Sequence, residues 1–346
     1  SSSGCGGGGG GGGRAGSSIG SGTPMLDACA RLGAFQVPVP GQLQAQSREA
    51  FEFAARFLAL PERAKRRFRA DLAEGATGPN GYHAPGELGA RYNRFRSGFV
   101  FQGRTLWPLL GDGAAPDAAD FVPRLDGWRG GVWRLAEAVL GRLEAELGDA
   151  GLLLPQPGHA SGRLFAEGGL RDMVSHSQFH IKRMHPAPVK DQEGFAVRMP
   201  LHQDPGFISI VLHASADPPG QGLEVLDEAC GAFVPIPSSG PEVATVVVGQ
   251  LFHLLCGRGR AGYRPAKAAH RVVTGPMDMD KERLAATFFF QPAPGDLLEA
   301  LVAPPEALAD ACAPGLAQGV PAQQEAFSDR RSRTLARYVR ASVSER

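Results

Sequence analysis

The sequence predicts a mainly β fold with flanking helices, and two observations carry that prediction. Up to about residue 175 the longer apolar patterns have the spacing of amphipathic helices. Beyond it, the chain alternates short apolar runs with clusters of Gly, Pro or Asp. Seven such runs within roughly 120 residues indicate an antiparallel sandwich or barrel in the second half, flanked by helices from the first half.

The first half contains two predicted helices. The first has apolar residues at positions i, i+3, i+4 and i+7, namely Phe51, Ala54, Ala55 and Leu58. Pro61 ends this pattern. The second follows a longer apolar stripe: Trp128, Val132, Leu135, Val139, Leu143 and Leu147. Gly148 ends it. Residues 34–37 predict a short strand, and the Gly- and Pro-rich residues 75–90 predict a loop.

The second half contains the predicted strands, which cover residues 178–184, 207–213, 223–226, 232–236, 243–255, 268–273 and 284–290. Helix-like spacing returns over residues 321–346. We therefore expect four regions along the chain: a disordered Gly/Ser-rich tail over 1–22, a helix-and-strand region over 23–150, a β core over 175–300 and a C-terminal helical tail over 301–346.

The composition argues against several classes of function. The 346 residues include 36 Lys and Arg against 35 Asp and Glu, a formal charge of +1. This balance argues against nucleic acid or an anionic membrane surface as the main partner. Hydrophobic residues make up 43% of the chain, which is enough for a core. The sequence contains no run of 18 apolar residues, so we expect no membrane-spanning helix.

Cysteine usage bears on the compartment. The five cysteines are widely spread and form no CxxC pair, so a reducing compartment is favoured and we expect a cytoplasmic protein. Residues 1–22 hold twelve glycines, no acidic residue and no initial Met. Organelle targeting by a longer N-terminal segment is therefore the alternative.

The first candidates for chemistry are His202 and Asp204. Residues i and i+2 of a strand face the same side, so this imidazole and carboxylate would point together. A second histidine on a neighbouring strand would complete a set of two histidines and one carboxylate, which suits non-haem Fe(II) oxygen chemistry. The best candidate is His270, at a predicted strand start. Spacing alone does not decide this, because an exposed His and Asp beside the turn at 205–206 would give the same pattern.

Arg283 is the next candidate, thirteen residues after His270. It shares one face of a predicted strand with Ala285 and Thr287. An Arg directed into a barrel needs an anion, because an unpaired buried charge is strongly unfavourable. The far carboxylate of a metal-chelating dicarboxylate would match its guanidinium fork. A rim Arg in a surface ion pair explains the pattern equally well.

A series of short motifs adds context. In the first half they are Ala30–Val37, Phe57–Lys65 (similar to FFxLPxxxK), Gly81-Tyr82 and Trp107-Pro108. In the second half they are His202-x-Asp204, Gly222–Val225, Gly249–Leu251, His270–Val272 and Phe288–Pro292. In this order and spacing, over roughly residues 24–300, they resemble the Fe(II)- and 2-oxoglutarate-dependent dioxygenases of the isopenicillin N synthase-like superfamily.

The resemblance implies a double-stranded β-helix, or jelly roll, of about eight strands for the β core. It implies that His202, Asp204 and His270 bind Fe(II), brought together by two strands from facing sheets, and that Arg283 binds the distal carboxylate of 2-oxoglutarate. The implied activity is O2-dependent hydroxylation or desaturation of a small-molecule substrate, with release of succinate and CO2 from 2-oxoglutarate.

Two departures from the family pattern leave alternatives open. The family's Arg-x-Ser is Arg283-Leu284-Ala285 here, so one co-substrate hydrogen bond, worth about 1.5–3 kcal/mol, is absent unless Thr287 replaces it. Arg183 and His185 stand where plant members carry an Asn and the Tyr that contacts 2-oxoglutarate, and we expect both to bind a carboxylate of the co-substrate or of an anionic substrate. The alternatives are a 2-oxoglutarate-independent oxidase that draws electrons from its substrate or ascorbate, and a non-catalytic metal-binding module.

Arg183, Arg198 and the Arg-rich C-terminal tail favour a substrate that carries a carboxylate. His176 and His180 are four residues apart, but the local strand-like pattern favours structural histidines over a second metal site. His213, in an apolar strand, is predicted to be a hydrogen-bonded core histidine.

Overall fold

The computed structural model of the protein describes residues 24–69, 81–87, 95–102, 118–150, 177–186, 196–217, 221–256, 263, 265–274 and 281–291. The predictions for the tails at 1–22 and 301–346 lie outside these ranges. No helix within them is both long and apolar enough to cross a bilayer.

The described helices are α1 (Pro24–Arg31), α2 (Gly41–Leu58), α3 (Glu62–Lys65), α4 (Ala118–Asp149) and α5 (Gln250–Cys256), with a 3-10 turn at Arg66–Phe68. Helices α2 and α4 confirm the two predicted apolar stripes. They pack on each other through the rings of Phe51 and Trp128, whose centroids are 5.3 Å apart. The indole Nε1 of the buried Trp128 donates to Ser47 Oγ at 2.8 Å, so its polar group is satisfied inside the interface.

The described strands are β1 (Ala34–Pro38), β2 (Gly81–His83), β3 (Arg96–Gln102), β4 (Gln178–Met184), β5 (Ala196–His202), β6 (Ile208–His213), β7 (Gly222–Asp227), β8 (Ala232–Ile236), β9 (Val243–Val248), β10 (His270–Thr274) and β11 (Arg283–Phe290). They form a large sheet in the order β1-β9-β6-β11-β4-β3-β2 and a small sheet in the order β5-β10-β7-β8. Neighbouring strands are antiparallel throughout both sheets. The two sheets make the predicted jelly-roll core.

The strand predictions hold with one correction and three omissions. The run at 243–255 is not one strand, because it breaks at Gly249 into β9 and α5. A Cβ on Gly249 would lie 1.9 Å from Gly206 O, so the chain turns here in a place that only glycine fits. Strands β2, β3 and β5 have no predicted counterpart. The loop predicted at 75–90 includes β2, β3 begins with three non-apolar residues, and β5 contains Pro200, which is atypical of a strand.

The large sheet has two different faces because successive side chains alternate. The outer face packs on α2 and α4, as in the contact of Phe179 with Trp128, whose ring centroids are 4.9 Å apart. The inner face turns away from these helices and carries the alternate residues of β11, which are Arg283, Ala285, Thr287 and Phe289. Met199, Leu223 and Val272 of the small sheet belong to the same continuous hydrophobic core.

Candidate metal centre

The side chains of His202, Asp204 and His270 converge at one end of the small sheet. Each offers one possible ligand atom, and these atoms all lie within 4.8 Å of one another. His202 Nε2 is 3.6 Å from Asp204 Oδ1, and His270 Nε2 is 3.8 Å from Asp204 Oδ2. All three side chains are almost completely buried, at 4–8% exposure, so an exposed His and Asp beside a turn is not what the fold contains.

A single pair of strands places both histidines. His202 is the last residue of β5 and lies directly opposite His270, the first residue of β10. The expectation that facing sheets supply these ligands is therefore wrong: the two strands are neighbours in one sheet. Asp204 follows two residues after β5, and its carbonyl accepts the Gln250 amide at 2.8 Å, which ties the ligand loop to the start of α5.

Backbone carbonyls select the tautomer of each histidine. His202 Nδ1 lies 2.9 Å from Pro200 O, and His270 Nδ1 lies 2.8 Å from Ala268 O. A carbonyl only accepts, so each Nδ1 carries the proton and the lone pair of the neutral ring is on Nε2, on the side of Asp204. This is the form in which histidine binds a metal. Two imidazole nitrogens and one carboxylate fit Fe(II), and this donor set leaves further coordination positions for other ligands.

The segment before His270 packs closely against the N-terminal part of the chain and is hydrogen-bonded to it. Ala268 has a φ of +44°, an unusual conformation for a residue other than glycine, and its carbonyl orients His270. A Cβ on Gly33, just before β1, would lie 2.8 Å from Ala268 Cβ, so the two segments can pack this closely only with glycine at position 33. The amide of Ala266 donates to Cys29 O at 2.7 Å. The second histidine ligand is thus held by a strained, closely packed segment.

Arg283 lies on the inner face of the large sheet and has an anionic partner within the chain. Its Nε donates to Asp217 Oδ1 at 2.7 Å, and its Nη2 donates to Asp217 Oδ2 at 3.0 Å. The same Nη2 lies 2.8 Å from His213 Nδ1. Burial, followed by the nearby Arg283 charge, lowers the pKa of His213 to about 3, so the neutral ring accepts this bond. The expectation of a hydrogen-bonded core histidine is confirmed.

Lys182 shares this face and was not among the predicted site residues. It lies directly opposite Ala285, and its Nζ donates to Thr287 Oγ1 at 2.9 Å. The ammonium also lies 4.8 Å from the centroid of the Phe289 ring. Alternation along β4 predicts that Lys182 and Arg183 lie on opposite faces. The sequence does not reveal which of the two stands opposite Ala285 of β11.

Arg183 and His185 do not join Arg283. Arg183 stands opposite Leu284, so its side chain points to the other face of the sheet, where it donates to Leu58 O at 2.7 Å and to Glu282 Oε2. His185 follows the end of β4, and its Nε2 lies 2.7 Å from Ser97 Oγ. The expectation that both bind the co-substrate is therefore not met by their placement. In a strand, a shift of one residue moves every side chain to the opposite face.

A second polar group lines the inner face at the β2–β4 end of the large sheet: His83, Arg96 and His180, all buried or partly buried. Burial, and then the Arg96 charge, lowers the pKa of His83 to about 3. Burial followed by the Lys182 charge holds the pKa of His180 well below its usual value. Both rings are therefore neutral, and the Nδ1 atom of each has no hydrogen-bond partner among the described residues. His176 lies outside the described residues.

A jelly roll that brings two histidines and one carboxylate together at one end of its small sheet, with a partly buried arginine on its large sheet, is typical of mononuclear non-haem iron oxygenases. Residues 175–292 match the family model described as the 2OG-Fe(II) oxygenase superfamily. This match confirms the resemblance to the Fe(II)- and 2-oxoglutarate-dependent dioxygenases, a superfamily of oxidoreductases. Fe(II) and 2-oxoglutarate are the cofactor and co-substrate of the superfamily, and the donor set described above fits that metal.

Individual relatives agree with this placement. The chain is 32% identical over 228 residues to the 2-oxoglutarate-dependent dioxygenase DAO of Oryza sativa. The matched segment covers 64% of this chain and 63% of the relative. The chain thus matches less than two thirds of that relative's length. The crystal structure of the rice dioxygenase for auxin oxidation has a TM-score of 0.54 and 25% identity, covering 82% and 81% of the two chains. A Neurospora crassa protein, crystallised in complex with alpha-KG and 5-formyluracil, shares the fold, with a TM-score of 0.58, 18% identity, and coverage of 82% and 83%.

Proposed function

We propose that the protein is an Fe(II)- and 2-oxoglutarate-dependent oxygenase that hydroxylates or desaturates a small-molecule substrate. The observation that carries the proposal is the triad of His202, Asp204 and His270, with both Nε2 atoms on the side of one buried carboxylate. The proposal favours an enzyme over a metal-binding module because the inner face also retains Arg283, which a module has no need to keep.

Different residues would bind the metal and the co-substrate. His202, Asp204 and His270 would hold the iron. Bound iron would supply the oxidative decarboxylation of 2-oxoglutarate to succinate and CO2, coupled to oxidation of the substrate. Arg283 would bind the distal carboxylate through Nη1, because its bonds to described residues use Nε and Nη2. The burial of the triad limits access of bulk water to this end of the sheet.

The substrate carries a carboxylate in this proposal. Arg183 and Arg198, which first suggested an anionic substrate, donate instead to Glu282 and to the Lys281 carbonyl. Support now comes from Arg96, which lies on the inner face of the large sheet beside two neutral histidines whose Nδ1 atoms have no partner among the described residues. An incoming carboxylate would gain a charge-assisted hydrogen bond from Arg96 there. The rice relative is named for the oxidation of auxin, a small molecule, and is a precedent for a small-molecule substrate.

The substrate class is tested by a panel of small aromatic and aliphatic acids, each paired with its neutral amide. Stimulation of succinate formation by the acids but not by the amides is the expected result, and Arg96→Gln should remove that preference. Arg183→Gln is the matched control, since it removes an arginine from the opposite face. Equal stimulation by acids and amides in the unmodified protein would contradict an anionic substrate.

The function itself is tested without a substrate. 2-Oxoglutarate is titrated anaerobically into the Fe(II)-loaded protein, and the visible metal-to-ligand charge-transfer band is recorded, followed by succinate after O2 is admitted. We expect a saturable band, weakened in Arg283→Gln. Iron binding without a band would favour the 2-oxoglutarate-independent oxidase, and the absence of iron binding would overturn the proposal altogether. Thermal unfolding of Arg283→Gln checks that the unpaired Asp217 has not unfolded the variant.

A further inference from the structure

The position of Ala285 on the inner face lacks a donor, yet donors stand on both sides of it. The antiparallel register places Lys182 of β4 and His213 of β6 directly opposite Ala285, one on each side. Cross-strand partners point to the same face of a sheet, so the methyl group of Ala285 lies between the side chains of Lys182 and His213. Arg283 is two residues before Ala285 on the same face.

Lys182 contributes a buried positive charge to this row. Its residue is 4% exposed, which is unusual for lysine, and its Nζ is directed along the inner face toward Thr287 Oγ1 at 2.9 Å. Gly98, the residue opposite Lys182 on β3, has no side chain. The two residues directly opposite Lys182 are thus glycine on β3 and alanine on β11, and neither carries a bulky side chain.

His213 contributes a donor that the described residues do not use. Its Nδ1 accepts from Arg283 Nη2 at 2.8 Å, which places the ring proton of the neutral imidazole on Nε2. Nε2 is buried and has no hydrogen-bond partner among the described residues. A buried N–H without an acceptor is costly, and a carboxylate oxygen is the kind of acceptor that would satisfy it.

Arg283 alone is a weak anchor for a further carboxylate. Asp217 binds Arg283 in a two-bond arrangement, so the charges of this pair cancel. A second carboxylate therefore gains most from the donors beside the pair, which are Lys182 Nζ and the His213 Nε2–H.

We propose that Lys182 and His213 bind the distal carboxylate of 2-oxoglutarate together with Arg283, and so replace the hydroxyl that Ala285 lacks. This inference rests on the proposed function. Lys182 supplies charge and one hydrogen bond, His213 supplies the Nε2–H bond, and Arg283 supplies Nη1. The carboxylate then bridges β4, β11 and β6, and the keto-acid end is left to reach the metal.

The test compares two keto acids that differ in the distal carboxylate. 2-Oxoglutarate has this group and 2-oxobutyrate lacks it, while both can chelate Fe(II). Dissociation constants are taken from the anaerobic charge-transfer titration. Lys182→Met should raise the constant for 2-oxoglutarate about 10-fold or more, the loss of one charge-assisted bond, and leave that for 2-oxobutyrate nearly unchanged. His213→Gln should raise the constant for 2-oxoglutarate less, by about 3- to 10-fold, as a neutral bond is lost.

Matched variants separate binding from folding. Lys65→Met removes another buried lysine, whose Nζ donates to Leu58 O at 3.1 Å, and should not change either dissociation constant. Lys182→Arg keeps the charge and should recover part of the affinity for 2-oxoglutarate. If Lys182→Met fails to fold, as judged by loss of iron binding, Lys182→Gln is measured in its place.

Two results would overturn the inference: an unchanged constant for 2-oxoglutarate in the folded Lys182 variant, or equal weakening for both keto acids. If the unmodified protein gave no band with either keto acid, the proposed function would fail. A band in the unmodified protein, together with an unchanged constant in Lys182→Met, would overturn this inference and leave the proposed function standing.

Discussion

The metal triad and the proposed carboxylate-binding residues Lys182, Arg283 and His213, here called the carboxylate row, lie in different parts of one core and are built in different ways. In the triad, each histidine is oriented by a carbonyl two residues before it in the chain, and one pair of adjacent strands brings the two rings together. The carboxylate row of Lys182, Arg283 and His213 draws one residue from each of three strands, and Arg283 is held by Asp217, 66 residues away in sequence.

From this difference we expect the two regions to tolerate substitutions differently. A triad held by local backbone geometry keeps its arrangement as long as its two strands pair, so its residues remain recognisable as a short motif. A row assembled by register can obtain the same donors from different strands. The loss of a hydroxyl at Ala285 can then be offset by side chains far away in sequence.

The strongest test of the triad is the removal of its carboxylate. Asp204→Ala should lower Fe(II) affinity more than about 100-fold, because loss of an outer partner alone typically costs 10–100-fold. Anaerobic Fe(II) titration measures the effect. Asp149→Ala, which changes an exposed aspartate at the end of α4, is the control and should bind iron normally. Tight iron in Asp204→Ala would mean that the metal binds elsewhere.

The contrast between the regions also shows how far the sequence leads. The two long helices, most strands of the core and the three triad residues follow from periodicity and from motif order. The bounds of β4 and β8 agree with the prediction to the residue. What the sequence lacks is register: nothing in it shows that Lys182 rather than Arg183 stands opposite Ala285. Nor does it show that the run after Val243 turns into a helix, which depends on the contact of Gly249 with Gly206.

A smaller effect is expected when the support of the triad changes rather than a ligand. In Gly249→Ala, the new Cβ would lie 1.9 Å from Gly206 O and push apart the turn whose Gln250 amide binds Asp204 O. We expect a loss of about 2 kcal/mol or more in the free energy of unfolding. Fe(II) affinity should fall about 10-fold, as for an outer partner.

The control for this change is Gly141→Ala in the middle of α4. A Cβ at Gly141 would meet no described atom within 4 Å. Alanine there should raise the free energy of unfolding by about 0.5–1 kcal/mol. Urea unfolding and Fe(II) titration distinguish the two variants. Normal iron affinity in a destabilised Gly249→Ala protein would show that the turn supports the fold but not the metal.

Acid should act on the inner face of the large sheet. The pKa values of His83 and His213 are lowered to about 3, chiefly by burial and then by Arg96 and Arg283 respectively, although Asp217 opposes the shift at His213. Between pH 6.5 and 3 the unfolded chain therefore binds more protons at these sites than the folded one. Stability is fully present above pH 6.5 and falls as the pH drops, by up to about 1.4 kcal/mol per pH unit for each histidine.

Urea unfolding of the metal-free protein between pH 7 and 5 measures this dependence, in a range above the usual titration of carboxylates. His83→Gln should reduce the change in the free energy of unfolding per pH unit by the contribution of one histidine. An unchanged slope would mean that His83 does not stay neutral in the folded protein, and the polar inner face would then have a different charge from the one described.

The smallest effect concerns Arg183, and it tests the register that separates the two faces of β4. Arg183→Gln removes bonds to Leu58 O and Glu282 on the outer side, the latter an ion pair between partly exposed groups worth at most about 1 kcal/mol. The dissociation constant of 2-oxoglutarate should change by less than about threefold, since distant sites act independently. Arg283→Gln, measured in the same anaerobic titration, should raise it by about 10-fold or more. Equal losses in the two variants would require Arg183 to reach the co-substrate, and β4 would then have to be shifted by one residue against β11, which would also move Lys182 away from Ala285.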